Sequence, residues 1–98
     1  MYMYKLILLV DDNDKDINIY FRPLSFDNPL VRGDQVSVMD YALGEVENLF
    51  HHHDGESHSQ TVVHVNGVEQ ADGFLLLKDY RTKTDSRLET LIEKVEPL

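Results

Sequence analysis

The order of apolar and polar residues along the chain predicts short β-strands over most of its length. Short apolar runs, and runs in which apolar and polar residues alternate, fit strands because successive side chains point to opposite faces. Turn-forming residues separate these runs at intervals of roughly 8–12 residues, which is typical of small antiparallel β proteins. The candidate strand segments are Tyr4–Val10, Ile17–Phe21, Gln35–Met39, Glu45–His51, Thr61–Val65, Val68–Ala71 and Phe74–Tyr80.

The strongest local signal is Asn66-Gly67, which lies between two segments rich in valine. This dipeptide favours the type I′ turn of a two-residue hairpin, because both central residues of that turn need positive φ. We therefore expect Val65 to face Val68 across a hairpin.

The C-terminal segment changes from alternation to helical spacing. Ser86 and Glu89 have the spacing of a capping box, and Pro97 follows as a stop signal. The apolar residues at helical spacing are Leu88, Leu91, Ile92 and Val95. This pattern predicts an amphipathic helix over about residues 86–96 that packs its apolar stripe on the sheet.

These elements predict a mainly β (α+β) fold in one domain that spans residues 1–98. We expect a small antiparallel barrel or rolled sheet of five to six short strands with one C-terminal amphipathic helix. A chain of 98 residues has enough material for one core. The segment Arg32–Val38 resembles the start of a strand in SH3-like small barrels, and this resemblance implies a fold but no function.

The net charge of −9 narrows the classes of partner. Residues 1–72 hold thirteen of the eighteen acids and four of the nine bases, so the excess negative charge lies there. Such a body repels phosphate, and we expect neither direct nucleic-acid binding nor docking on an anionic membrane. The natural partner is a protein with a basic surface.

The leading hypothesis is therefore a non-enzymatic protein-interaction module. One version is an inhibitor from a phage or mobile element that imitates the charge of nucleic acid. The candidate partner-binding residues are Asp11, Asp12, Asp14, Asp16, Glu45 and Glu47. The glycines are scattered singly, so they form no phosphate-binding loop, and no nucleophile motif occurs; we expect no enzyme activity. The absence of cysteine favours an intracellular, cytoplasmic protein without disulfides.

A cluster of histidines supports an alternative function in metal binding. Neutral imidazole binds zinc, copper or nickel, and an extended backbone places alternate side chains on one face. His51 and His53 then share a face, and His58 across the loop supplies a third ligand for a divalent transition metal. The competing interpretation is a solvated polar loop.

A further alternative is self-association of the chain. Tyr2, Tyr4, Tyr20 and the first strand offer an apolar surface for a structural homo-oligomer, as a homodimer through a strand edge or the terminal helix.

A last alternative rests on three segments of the chain, Leu6–Asn13, Val36–Asp40 and Leu77-Lys78, which resemble parts of a response-regulator receiver domain. This resemblance implies a phosphoacceptor site in which acids hold magnesium and a lysine contacts the phosphoryl group. Its residues are Asp11, Asp12, Asp40 and Lys78. Only 28 residues separate Asp12 from Asp40, however, whereas one βαβ unit takes about 30 or more. A truncated receiver-like domain is therefore the least favoured alternative.

Overall fold

The computed structural model describes residues 1–12, 15–39, 41–67 and 90–97. These parts of the chain are mainly β-strand and contain no helix. The strands are β1 (Tyr2–Asp12), β2 (Lys15–Phe21), β3 (Leu24–Phe26), β4 (Gln35–Val38), β5 (Tyr41–His53), β6 (Ser59–Gly67) and β7 (Ile92–Pro97). The prediction of a mainly β protein is confirmed.

The seven strands form one mixed sheet that does not close into a barrel. The order is β4-β5-β6-β1-β2-β7, and β3 pairs with β1 beside this path. All pairs among the described strands are antiparallel except β1 with β6, which run parallel. Of the predicted antiparallel barrel or rolled sheet, the closed barrel was therefore wrong because the sheet is open, and the purely antiparallel arrangement was wrong because its central pair is parallel. Local sequence patterns do not show which strands run parallel, because two parallel neighbours are joined through a long connection and are therefore distant in the sequence.

The hydrophobic core lies on one face of this sheet. From Tyr4 to Val10 of β1 the even-numbered side chains are buried, whereas Lys5, Ile7 and Leu9 on the other face are half-buried. No polar or charged side chain of the described residues is buried. The buried apolar residues are Tyr4, Leu6, Leu8, Val10, Ile19, Phe21, Val36, Val38, Leu43, Val46, Val63 and Val65. The alternation of Val36 and Val38 with polar residues matches the burial of β4, whereas Leu6–Val10 is apolar throughout and does not by itself mark one face of β1 as the core face.

Strands β2 and β3 follow each other along the same edge of β1. Tyr20 pairs with Ile7, and Leu24 pairs with Tyr4. Four residue steps from β2 to β3 therefore match only three steps along β1. The extra residue lies near Pro23, which lacks the N–H that a regular ladder would need. Pro23 therefore lies between the end of β2 at Phe21 and the start of β3 at Leu24.

The loop after β3 is tied back to the core by the Tyr4 side chain. The Leu30 N–H donates to the Tyr4 hydroxyl at 3.0 Å, and the Phe26 ring meets the Tyr4 ring edge-on at 5.8 Å. Farther along, Asp34 N donates to Val31 O at 3.0 Å, and the φ of +96° at Gly33 suits this turn. The loop therefore enters β4 as ordered chain.

The predicted Asn66-Gly67 turn was wrong. Both residues belong to β6, where they pair with Glu45 and Gly44 of β5. Neither has the positive φ that a type I′ turn requires; in the parts of the chain covered by the structure only Gly33, Met39 and Gly55 do. Asn66 also pairs with Leu9 of β1, so bonding on both sides outweighs the local turn preference. The opposing residue of the predicted hairpin, Val68, lies outside the described residues.

The predicted C-terminal helix over residues 86–96 was wrong wherever the structure describes the chain. Residues 92–97 form β7, which pairs with β2. A register shift lets two steps on β2, from Ile19 to Phe21, match three on β7, from Val95 to Ile92. Ile92 and Val95 thereby both pack against the core, although their spacing in the sequence is typical of a helix. Residues 86–89, the segments 68–71 and 74–80, and Lys78 lie outside the described residues.

Candidate interaction surface on β5

Strands β5 and β6 extend beyond the rest of the sheet as a two-stranded ribbon. Their pairing continues to His53 and Ser59, whereas β6 pairs with β1 only from Val62 onward. On the opposite side, β4 pairs with β5 only as far as Glu45, and two further backbone bonds join Val46 to the chain before β4. Residues 47–61, here called the ribbon, thus have no neighbouring strand among the described residues. Every side chain from residue 50 to residue 60 is exposed.

The Asp54 carboxylate holds the tip of the ribbon. Its Oδ1 accepts hydrogen bonds from the Glu56 N–H at 2.8 Å and the His58 N–H at 3.2 Å. Its Oδ2 lies 3.2 Å from His58 Nδ1. The bonds from the backbone of Glu56 and His58 hold the pKa of Asp54 below its usual value. Gly55, with φ of +87°, supplies the left-handed residue of the turn.

The predicted histidine ligands lie on this ribbon. His51 and His53 share a sheet face, as predicted, because they pair with Thr61 and Ser59. Each histidine uses Nδ1 within the ribbon: His51 with Thr61 Oγ1 at 3.1 Å, His53 with the Gly55 N–H at 2.9 Å, and His58 with Asp54.

These contacts account for the histidines without a metal ion. In the part of the chain that the structure describes, no group of three His, Asp or Glu side chains is arranged to hold one. The metal site at His51, His53 and His58 stays a prediction to which the geometry adds no support.

Glu45 and Glu47 project from β5 where it emerges from the sheet. Both are exposed, and they line a cleft of about 210 Å³ together with Arg32, Val46, Asn66 and Gly67. Glu47 is the extra residue of a bulge, since the pairing with β6 shifts between Val46 and Asn48. Among the described residues neither carboxylate makes an ion pair or a hydrogen bond. Two predicted partner-binding residues are thus brought together as uncompensated charges.

The other predicted acids give no comparable geometry. Asp11 and Asp12 end β1 and pair through their backbones with Asp16 and Lys15 of β2. Their side chains, together with Asp14 and Asp40, lie outside the described residues. Strand β2 runs back beside β1 at the position where a receiver domain has its first helix, so the resemblance to receivers does not extend to this part of the fold.

The first strand is not a free edge along its centre. Over Ile7–Leu9, β1 pairs with β2 on one side and with β6 on the other. Tyr4 is buried, and the Tyr20 ring lies 4.5 Å below the Lys94 ammonium, whereas Tyr2 is 46% exposed. The predicted self-association through the tyrosines and this strand is therefore not supported by the position of β1.

Phe50 is a surface residue that the sequence analysis missed. Its side chain is 51% exposed, and its ring centroid lies 4.9 Å from that of His64. The available signal was a phenylalanine directly before three consecutive histidines. An exposed aromatic side chain of this kind is typical of contact surfaces.

Comparison of the chain with protein-family models, curated proteins and solved structures gives no significant match. The described residues also form no helix long and apolar enough to cross a membrane.

Proposed function

We propose that this chain is a non-enzymatic protein-interaction module that presents an acidic surface to a basic partner. The acidic surface consists of Glu45 and Glu47, on either side of Val46 in β5. The observation that carries the proposal is that both carboxylates are exposed and lack any counter-charge contact among the described residues.

The described cations are mostly used at the other end of the sheet. Lys5 Nζ lies 3.0 Å from Glu93 Oε2, and Lys94 Nζ lies 3.4 Å from Glu96 Oε2. Arg22 Nε donates to the Thr90 carbonyl at 3.2 Å. Positive charge is therefore compensated around β7.

Around Glu45 and Glu47, Arg32 is the one basic residue that lines the described cleft. The local excess of carboxylates creates a negative potential that attracts a cationic surface and speeds its association. Because exposed charges are screened by salt, the attraction has to weaken as ionic strength rises.

A matched pair of double variants tests the proposal. Glu45→Gln with Glu47→Gln removes two charges from the acidic surface, and Glu93→Gln with Glu96→Gln removes two from β7. The probe is a fluorescent oligolysine peptide, and its affinity is measured by anisotropy over a series of salt concentrations. We expect the first double variant to lose severalfold more affinity than the second at low salt, since the β7 carboxylates already have lysine partners.

Two results would contradict the proposal. Equal losses in both double variants would show that total charge, and not this surface, attracts the peptide. An affinity that does not change with salt would exclude a charge-led mechanism. Thermal midpoints of both variants check that the fold is retained.

The narrower form of the proposal is an inhibitor that imitates nucleic-acid charge, and it rests on net charge alone. Such an inhibitor displaces DNA from a basic DNA-binding protein. Failure to compete would remove this form and leave the general one intact.

A further inference from the structure

We infer that the edge of β5 over Glu47–His53, which has no neighbouring strand among the described residues, pairs with the same segment of a second copy of this chain, antiparallel and centred on Phe50. This inference concerns self-association and goes beyond the proposed binding of a basic partner.

The first argument is that this edge has few of the features that normally prevent strand addition. Short length, charged side chains and proline protect edge strands from pairing with other molecules. At the opposite edge of the described sheet, β7 carries Glu93, Lys94, Glu96 and Pro97. At the edge beside β5, β4 is only four residues long. Glu47–His53 contains neither lysine nor proline, and Phe50 at its centre is 51% exposed.

The second argument is the direction of the backbone groups. Asp54 N donates to His58 O across the ribbon at 3.0 Å. In an antiparallel ladder, N–H and C=O groups point alternately to one neighbour and then to the other. The groups of Leu49, His51 and His53 therefore point to the outer edge.

Val46 confirms this alternation on the other side of the bulge. The Val46 N–H donates to the Asp34 carbonyl, and the Val46 carbonyl accepts from the Gly33 N–H, so both groups point outward. Because Glu47 is an extra residue, the outward-pointing groups change from an even-numbered position before it to odd-numbered positions after it. The outward groups beyond Val46 have no bonding partner among the described residues.

The third argument is that the segment is complementary to itself. A two-fold axis at Phe50 places Leu49 opposite His51 of the second copy, and Glu47 opposite His53. Leu49 and His51 are both outward-pointing positions, so they form a hydrogen-bonded pair, whereas Glu47 is the extra residue of the bulge. Phe50 then faces its own copy at a non-hydrogen-bonded position, where side chains approach most closely. Aromatic pairs stabilise such cross-strand positions.

The pairing of Glu47 with His53 also suits the histidine tautomer. His53 Nδ1 accepts a bond from the Gly55 N–H at 2.9 Å. A neutral ring in this state carries its proton on Nε2 and is a donor there. The carboxylate of Glu47 in the second copy is an acceptor, and it is unpaired within its own described chain. Centring the axis on His51 instead would leave Glu47 without this partner.

Single cysteines test the register, since the natural chain contains none. Phe50→Cys places two thiols directly opposite each other, within the geometry of a disulfide. The matched control is Asn48→Cys, two residues away on the same face. In the proposed register its two copies are four residues apart, about 13 Å, which is beyond the reach of a disulfide. Under mild oxidation we expect a covalent dimer from Phe50→Cys and mainly monomer from Asn48→Cys. Equal yields, or none from Phe50→Cys, would overturn the register.

Light scattering after size-exclusion chromatography tests the dimer without crosslinking. The mass of the natural chain is expected to rise from 11.4 kDa towards twice that value between about 1 μM and about 1 mM protein. His51→Pro removes an outward N–H and keeps the bonds to β6, so this variant is expected to stay monomeric with unchanged circular dichroism. His52→Ala, whose N–H points inward, is the control and is expected to dimerise.

A natural chain that stays monomeric over this range, or a His51→Pro variant that dimerises equally well, would refute the inference. Oligolysine binding is measured on the same variants. His51→Pro leaves Glu45 and Glu47 in place, so failure of the dimer and failure of the acidic surface are distinguishable.

Discussion

Replacement of Gly44 by alanine should disrupt the pairing of β5 with β6. A Cβ atom at Gly44 would lie 1.9 Å from the Asn66 carbonyl oxygen and 2.8 Å from its carbonyl carbon. Ordinary contacts between such atoms begin at about 3.5 Å, so β6 would have to retreat by roughly 1.5 Å. The obstacle is backbone, and a side-chain rotation cannot relieve it.

The expected cost follows from two contributions. Overpacking in a well-packed region costs about 1–3 kcal/mol. Retreat of β6 also weakens the pairs Gly44 with Gly67 and Glu45 with Asn66, at about 1 kcal/mol for each lost backbone bond. The free energy of unfolding should therefore fall by about 2–5 kcal/mol, which lowers the thermal midpoint by about 8 °C or more for a chain of this size.

Thermal unfolding followed by circular dichroism measures this effect. The control is Gly55→Ala, because a Cβ atom there meets nothing within 4 Å. Its cost is the strain of a positive φ at an exposed tip, about 1–2 kcal/mol. A midpoint for Gly44→Ala within about 2 °C of the natural chain would refute the close approach of the two strands.

Three further predictions concern the core, the loop and the ribbon tip. Phe21→Ala should lower the free energy of unfolding by about 3–5 kcal/mol in urea titrations, because this side chain is fully buried; Met3→Ala, 57% exposed, should change it little. Tyr4→Phe removes the acceptor of the Leu30 N–H and should cost about 0.5–1.5 kcal/mol, with faster amide exchange at Leu30 and unchanged core chemical shifts. Hydrogen bonds lower the pKa of Asp54, so its ionised carboxylate stabilises the ribbon tip fully at pH values above the ordinary pKa of an aspartate. This stabilisation is lost as the pH falls through the lowered pKa. Amide exchange at the tip should show this loss, and Asp54→Asn should abolish it; a pH response that persists in the variant would disprove the role of this carboxylate.

Strand alternation predicted several elements correctly because one face of each strand is buried. In Gln35–Val38 the valines alternate with polar residues and are buried, whereas the continuous apolar run Leu6–Val10 did not distinguish the buried face of β1 from the half-buried one. The shared face of His51 and His53 was predictable for the same reason, because it depends only on an extended backbone.

The errors arose where long-range pairing outweighed a local preference. Asn66-Gly67 is a good turn sequence, but β6 lies between β5 and β1 and bonds to both. Ile92 and Val95 have helical spacing, but a register shift opposite β2 brings both onto the core face of a strand. Local patterns report propensity, and tertiary bonding can exceed it.

By itself, the sequence determined that the chain is rich in strands, that its negative charge is concentrated in residues 1–72, and that Val36 and Val38 face inward from β4. Only the tertiary structure decided that β1 and β6 run parallel, that the sheet stays open, and that β5 leaves it with Glu45 and Glu47 uncompensated. The physical reason is that side-chain direction is a local property of the backbone. Strand neighbours and free edges depend on which distant segments exchange hydrogen bonds.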